Sequence, residues 1–170
     1  MHLDLPLEQL FRRRGLGAQL AFATEAMGRM PRRRDFVAAP STLGLHVLAK
    51  DEEALEAPAE ALRQAYGREL DIAPPRVRLI DGVRVEEPIM HVEISVHERY
   101  RARVRKAMAR RNARPSAEFE KLLAIMHYEA PLADLLGLAE ELSKLTGGTA
   151  IHWMALSRYA HVRRRRPRRN

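Results

Sequence analysis

Residues 89–96 alternate strictly, with Met90, Val92, Ile94 and Val96 on one side and Ile89, His91, Glu93 and Ser95 on the other. Successive side chains of an extended chain point to opposite faces, so this pattern reads as a half-buried strand of fixed register. Whatever follows must cover its apolar face. Tyr100, Val104, Ala107 and Met108 recur at helical spacing, which predicts a helix over 98–112. Segments 117–122 and 123–129 read as two further strands, and Pro131 opens a second helix over 132–145 that Gly147-Gly148 ends. Residues 151–162 supply a last strand. Strand, helix, strand, strand, helix, strand folds readily as an antiparallel sheet with both helices on one face. The expectation for 86–162 is therefore a ferredoxin-like α+β domain.

Upstream the pattern is shorter. Residues 43–49 read as a strand, 54–66 as a helix with Leu55, Ala59, Leu62 and Tyr66 on one face, and 76–80 as a strand ended by an Asp81-Gly82 turn. Asp51-Glu52-Glu53 suits the positive end of that helix, although Pro58 offers a later start. This makes 41–85 a smaller strand-helix-strand unit. Leu45-His46-Val47 echoes Met90-His91-Val92, so the unit reads as a partial second copy of the C-terminal one. For 1–40 the expectation is a helical segment. Leu7, Leu10 and Phe11, then Leu20, Phe22, Ala23 and Met27, suggest two short helices hinged at Gly15 and Gly17 and stopped by Pro31.

Charge narrows the partner. The chain carries a net charge of +8 and has no cysteine, which points to a polyanion and excludes thiol chemistry and Cys-type zinc sites. Seven arginines lie between Arg12 and Arg34 against one acid, Glu25, and seven more with Lys106 lie between Arg99 and Arg114 with none. On a helix, Arg99, Arg103, Lys106 and Arg110 fall within about 60° of one another, beside the apolar face. Like charges at this spacing disfavour a helix by a few tenths of a kcal/mol each, unless acids from elsewhere or phosphates neutralise them. Either a solvated face or a phosphate contact fits the stripe, and Arg111 follows it. The chain closes on Arg163, Arg164, Arg165, Arg166, Arg168 and Arg169. Residues 163–170 cannot form a core and are expected to be a disordered arm for nucleic acid, with a solubility tail as the plainer reading.

Catalytic and metal readings find little. The histidines, His91, His97, His152 and His161 among them, lack ligand spacing, no serine sits in a Gly-x-Ser-x-Gly elbow, and no cofactor or metal is expected. Aromatic residues are only 5% of the chain, which argues against a protein working mainly by base stacking. Trp153, with His152 and Tyr159, is the one stacking candidate. Alternation would put Trp153 and Tyr159 on one side of the last strand, and packing is the commoner fate of such a tryptophan. No apolar run approaches the length of a membrane span, so a soluble, cytoplasmic protein is expected.

Glu87-Pro88-Ile89-Met90, then Tyr100, Val104, Met108, Arg110 and Arg111, resembles the opening of the last domain of elongation factor G. The run Ala130-Pro131-Leu132-Ala133-Asp134-Leu135-Leu136-Gly137-Leu138-Ala139, with Leu142, Thr146, Gly148 and Tyr159-Ala160, resembles the remainder of that domain. Where that family carries small glycines in its first helix this chain has Ala102 and Lys106, and Ala113 replaces a usual glycine after the arginine cluster. No Gly-x-x-x-x-Gly-Lys-Ser/Thr loop occurs, so no nucleotide is expected. The resemblance implies a GTPase-less, ribosome-facing module near the GTPase-associated centre and the sarcin-ricin loop. A non-catalytic protein binding ribosomal RNA is thus the first reading. The alternative is a structural or regulatory module that dimerises or docks on an acidic protein.

Overall fold

The computed structural model describes residues 4–15, 17–81, 83–120 and 123–162. Packing divides the chain into two compact units, Met1–Arg78 and Leu79–Asn170.

The second unit contains β6 (Glu86–Val96), α3 (Arg101–Arg110), β7 (Arg114–Glu120), β8 (Ala124–Pro131), α4 (Leu132–Leu135), α5 (Leu138–Thr146) and β9 (Ile151–His161). Its strands form one antiparallel sheet in the order β7-β8-β6-β9. Met90, Val92, Ile94 and Val96 of β6 are buried, as are Ala124, Met126, Tyr128 and Ala130 of β8. Val104, Ala107 and Met108 of α3 and Leu138 and Leu142 of α5 complete the core. The fold is the expected ferredoxin-like one.

Two details of the second unit depart from expectation. The helix expected over 132–145 breaks into α4 and α5 at Gly137, whose φ of 74° is left-handed. Leu132, Leu135 and Leu138 are all buried across the break. The helix over 98–112 is a tight 3-10 turn, Glu98–Tyr100, followed by α3. It ends at Asn112, with φ of 55°, where the Ala113 amide donates to the Met108 carbonyl at 3.1 Å. Asparagine here fills the left-handed position that glycine commonly takes at a helix end.

The first unit holds β1 (Leu7–Arg13), α1 (Gln19–Met27), β2 (Phe36–Ser41), β3 (Gly44–Ala49), α2 (Glu53–Tyr66), β4 (Leu70–Ile72) and the two-residue β5 (Arg76–Val77). The expected helix near the N-terminus is instead β1, the inner strand of this sheet, so residues 1–40 and 41–78 share one unit. Leu7 and Phe11 are both fully buried. A spacing of four residues fits one helical turn and also two strand periods, so the sequence pattern did not separate the two. Gly44 begins β3 where a Cβ would lie 2.3 Å from the Phe11 carbonyl oxygen, which holds β1 and β3 in close approach. β4 and β5 both pair with β1, separated by the Pro74-Pro75 step; the expected strand over 76–80 forms ladder pairs only at Arg76–Val77. The helix α2 starts at Glu53, not at Pro58, because Asp51 accepts a hydrogen bond from the Ala54 amide at 2.9 Å and caps its first turn.

The sheet order β2-β3-β1-β4 repeats β7-β8-β6-β9 element for element. The repeat is therefore complete rather than partial, and its register differs from the expected one. β3 corresponds to β8, not to β6, so His46 and His91 do not occupy equivalent strands.

Candidate nucleic-acid interface

Seven cations lie between Arg99 and Arg111 in the 3-10 turn and α3, and the fold sorts them. Arg101 and Arg105 reach across to β7, where both hydrogen-bond Glu118; Arg105 Nη2 lies 2.6 Å from its Oε2. The hydrogen bond from Arg105, reinforced by Arg101, holds the Glu118 carboxyl below the ordinary carboxylate range. On the other flank, Arg110 and Arg111 share Glu141 of α5 at 2.7 and 2.8 Å. Burial alone would push Glu141 up, but the two guanidinium hydrogen bonds outweigh it and hold its carboxyl low.

Arg111 does more. Its Nη1 donates to the carbonyls of Asp134 and Leu136 at 2.8 and 2.9 Å, acceptors stranded by the break between α4 and α5. With its side chain only 17% exposed, Arg111 is a bracket between α3 and the second helical segment. Those internal contacts set it apart from the exposed cations expected beside it in the RNA-binding stripe.

Between these flanks, Arg99, Arg103 and Lys106 are exposed. Arg99 stacks over the Tyr100 ring at 4.6 Å. Among the described residues, no carboxylate lies within ion-pair distance of Arg103 or Lys106. Arg110 adjoins them with its side chain 55% exposed despite its pair with Glu141. The structure thus brings Arg99, Arg103, Lys106 and Arg110 onto one outer face of the helical layer. Arg163, Arg164, Arg165, Arg166, Arg168 and Arg169 lie outside the described residues.

The opposite face of the same sheet is not covered by α3, α4 or α5. It carries Phe119 on β7, His127 on β8, His91 on β6 and Trp153 on β9. Their rings form a row across all four strands, with centroid separations of 5.6, 5.4 and 6.2 Å. His127 Nδ1 and His91 Nε2 are 3.3 Å apart, and Glu93 Oε2 lies 3.8 Å from His127. Phe119 and Trp153 are each 56% exposed.

At one end of this face, Arg158 grips Glu129 through both guanidinium nitrogens, at 2.6 and 3.0 Å, and Ser157 adds a third hydrogen bond. These contacts, Arg158 first, hold Glu129 below its ordinary range. Ser157 is the extra residue of a β-bulge, since Leu156 pairs with Met90 and Arg158 with Ile89. The bulge inverts the alternation beyond it. Tyr159 therefore lies on the helix-covered side and Trp153 on the open side, contrary to the expected pairing of the two. Trp153 shares that side with Phe119 and the two histidines, which only the strand register brings together.

Among the described residues, no group of three or more His, Asp or Glu is arranged to hold a metal ion. None of the described helices is long and apolar enough to cross a membrane.

A crystal structure of a protein from Thermus thermophilus is similar over 94% of this chain, with a TM-score of 0.66 at 15% identity. This chain spans 41% of that protein's length. No curated protein matches at the sequence level. The family model described as "Elongation factor G C-terminus" matches residues 84–170, just over half of the chain and all of the second sheet. The chain belongs to the elongation factor G C-terminus family.

Proposed function

We propose that this protein is a non-catalytic, ribosome-directed RNA-binding factor that grips the phosphate backbone through the outer face of α3. The observation that carries the reading is the sorting of cations on that helix. Arg101, Arg105 and Arg111 are matched to Glu118 and Glu141, while Arg99, Arg103 and Lys106 face outward with no carboxylate partner among the described residues. Cations left unmatched at helical spacing repel one another, and an external polyanion relieves that repulsion. A net charge of +8 favours the same class of partner, and the family is that of a translation factor's C-terminal region. Ribosomal RNA is the polyanion that joins these facts, and a cytoplasmic location follows from it.

Pelleting of purified ribosomes across a salt series tests the proposal. Binding should weaken steeply with salt, and excess elongation factor G should displace the protein without any requirement for GTP on this chain's side. A salt-insensitive interaction, or none beside tight binding to a purified protein, would favour a protein-docking module instead.

A further inference from the structure

We infer that the open face of the second sheet is a stacking platform for unpaired RNA bases, with Phe119, His127, His91 and Trp153 as its rings. This rests on the RNA reading above and adds a second contact on the opposite side of the sheet from the helical layer.

Aromatic residues are scarce in this chain, yet its sole tryptophan and one of its four phenylalanines stand more than half exposed on this face. Apolar rings normally gain by burial, and a residue as large as Trp153 is expected to pack. Its ring contact is with His91, edge to face at 6.2 Å, and it stays 56% exposed. The row crosses four strands spaced about 4.8 Å apart, so it spans about 15 Å, which is room for two or three bases.

Ring chemistry separates this occupant from a docked protein. Two members of the row are imidazoles that engage each other through His127 Nδ1 and His91 Nε2, which leaves each ring one further nitrogen. Glu93, with 43% of its side chain exposed, offers acceptor oxygens suited to the amino edge of a base. Charge agrees with a nucleic acid. Arg158 matches Glu129, and the exposed Arg114, which pairs in register with Glu129, lies at the start of β7. The sequence then runs from the end of the edge strand β9 directly into six arginines. A sheet face built from rings suits a single strand, whereas a duplex hides its base planes.

Trp153 is its own reporter, being the only tryptophan. The full-length protein is titrated with a 12-nucleotide oligouridylate, a 12-base-pair RNA duplex and heparin while tryptophan emission is followed. The single strand should quench the emission, and the duplex and heparin should not. Phe119→Ala and His127→Ala should each weaken single-strand binding roughly five- to tenfold while leaving duplex affinity unchanged. Trp153→Phe, which keeps a ring and is checked by labelled-RNA anisotropy, should retain binding. If the alanine variants bind the single strand normally while ribosome pelleting stays salt-sensitive, the platform is overturned and the α3 reading stands. If heparin quenches as strongly as RNA, charge alone acts and the platform is again overturned. Loss of all RNA and ribosome binding in the native protein would remove both readings. Unchanged emission with RNA, together with dimerisation through this face in sedimentation, would assign it to a second copy and overturn the inference.

Discussion

At position 111 a guanidinium that the sequence groups with its exposed neighbours closes three contacts inside the fold: the Glu141 carboxylate and the carbonyls of Asp134 and Leu136. Replacing it with methionine keeps the aliphatic stem but strands two carbonyls and leaves Glu141 to Arg110. We expect Arg111→Met to cost about 3 kcal/mol, read by urea denaturation, whereas Arg103→Met should cost under about 0.5 kcal/mol. A second residue-scale case is Asp51, which is buried while capping α2 through the Ala54 amide. Burial pushes its carboxyl above the ordinary range, outweighing the hydrogen bond from Ala54. A raised folded-state value means that the folded protein holds this proton more tightly than the unfolded chain does. The contribution of Asp51 to stability is thus greatest below the ordinary Asp range and is lost as pH rises through the raised folded value. Asp51→Asn keeps the acceptor and removes the charge, so it should match or exceed the native protein at pH 7. Asp51→Ala loses the cap and should cost about 1 kcal/mol at low pH, and less as pH rises through the raised folded value of the native carboxyl. Thermal melts of both variants between pH 4 and 8 check the sign.

At the scale of elements, α3 divides its work between its two flanks and its outer face. The flanks tie it to β7 and α5 through Glu118 and Glu141, and the outer face is the one we propose meets phosphate. Reversing Arg99, Arg103 and Lys106 together to glutamate should abolish ribosome pelleting while shifting the melting temperature by no more than about 2 °C, because none of the three holds another element. A large drop in melting temperature would mean that the stripe was neutralised within the protein. The existence of α3, β6 and β8 was legible in the sequence, since each carries an unbroken period over seven residues or more, whereas β9 read as a strand although its alternation breaks at Ser157. The helix break at Gly137 was not, because Leu132, Leu135, Leu138 and Leu142 read as one apolar stripe whether or not the axis bends. The inversion at Ser157 was equally hidden. A bulge is set by how two strands pair, and that pairing was not in either strand's own pattern. The same reason hid the aromatic row: Phe119, His127, His91 and Trp153 are far apart in sequence and meet only through the register of β7-β8-β6-β9.

For the whole molecule, two copies of one topology share a chain, yet their surfaces differ. In the first sheet the inner strands place Leu10 opposite His46, and no row of rings crosses the strands among the described residues. The proposed RNA contacts thus fall in the second unit, whose sequence includes the six arginines of 163–169. If those arginines engage phosphates as separate charges, binding must release a matching number of counterions. For single-stranded RNA each contact adds about −0.7 to the slope of log affinity against log salt, so six add roughly −4. Removing residues 163–170 should flatten the slope by about that amount and weaken binding to many RNA sequences alike, because phosphate contacts position a protein without specifying sequence. The aromatic platform would respond differently. Alanine at Phe119 should change the preference for single strand over duplex and leave the salt slope intact, since a stacked ring releases no counterion. Fluorescence anisotropy of labelled single-stranded and duplex RNA, measured between about 50 and 300 mM salt for the native chain, the truncation and the Phe119→Ala variant, separates the two contributions. An unchanged slope on truncation would place the arginine tail outside the RNA contact and leave α3 as the sole phosphate-binding element.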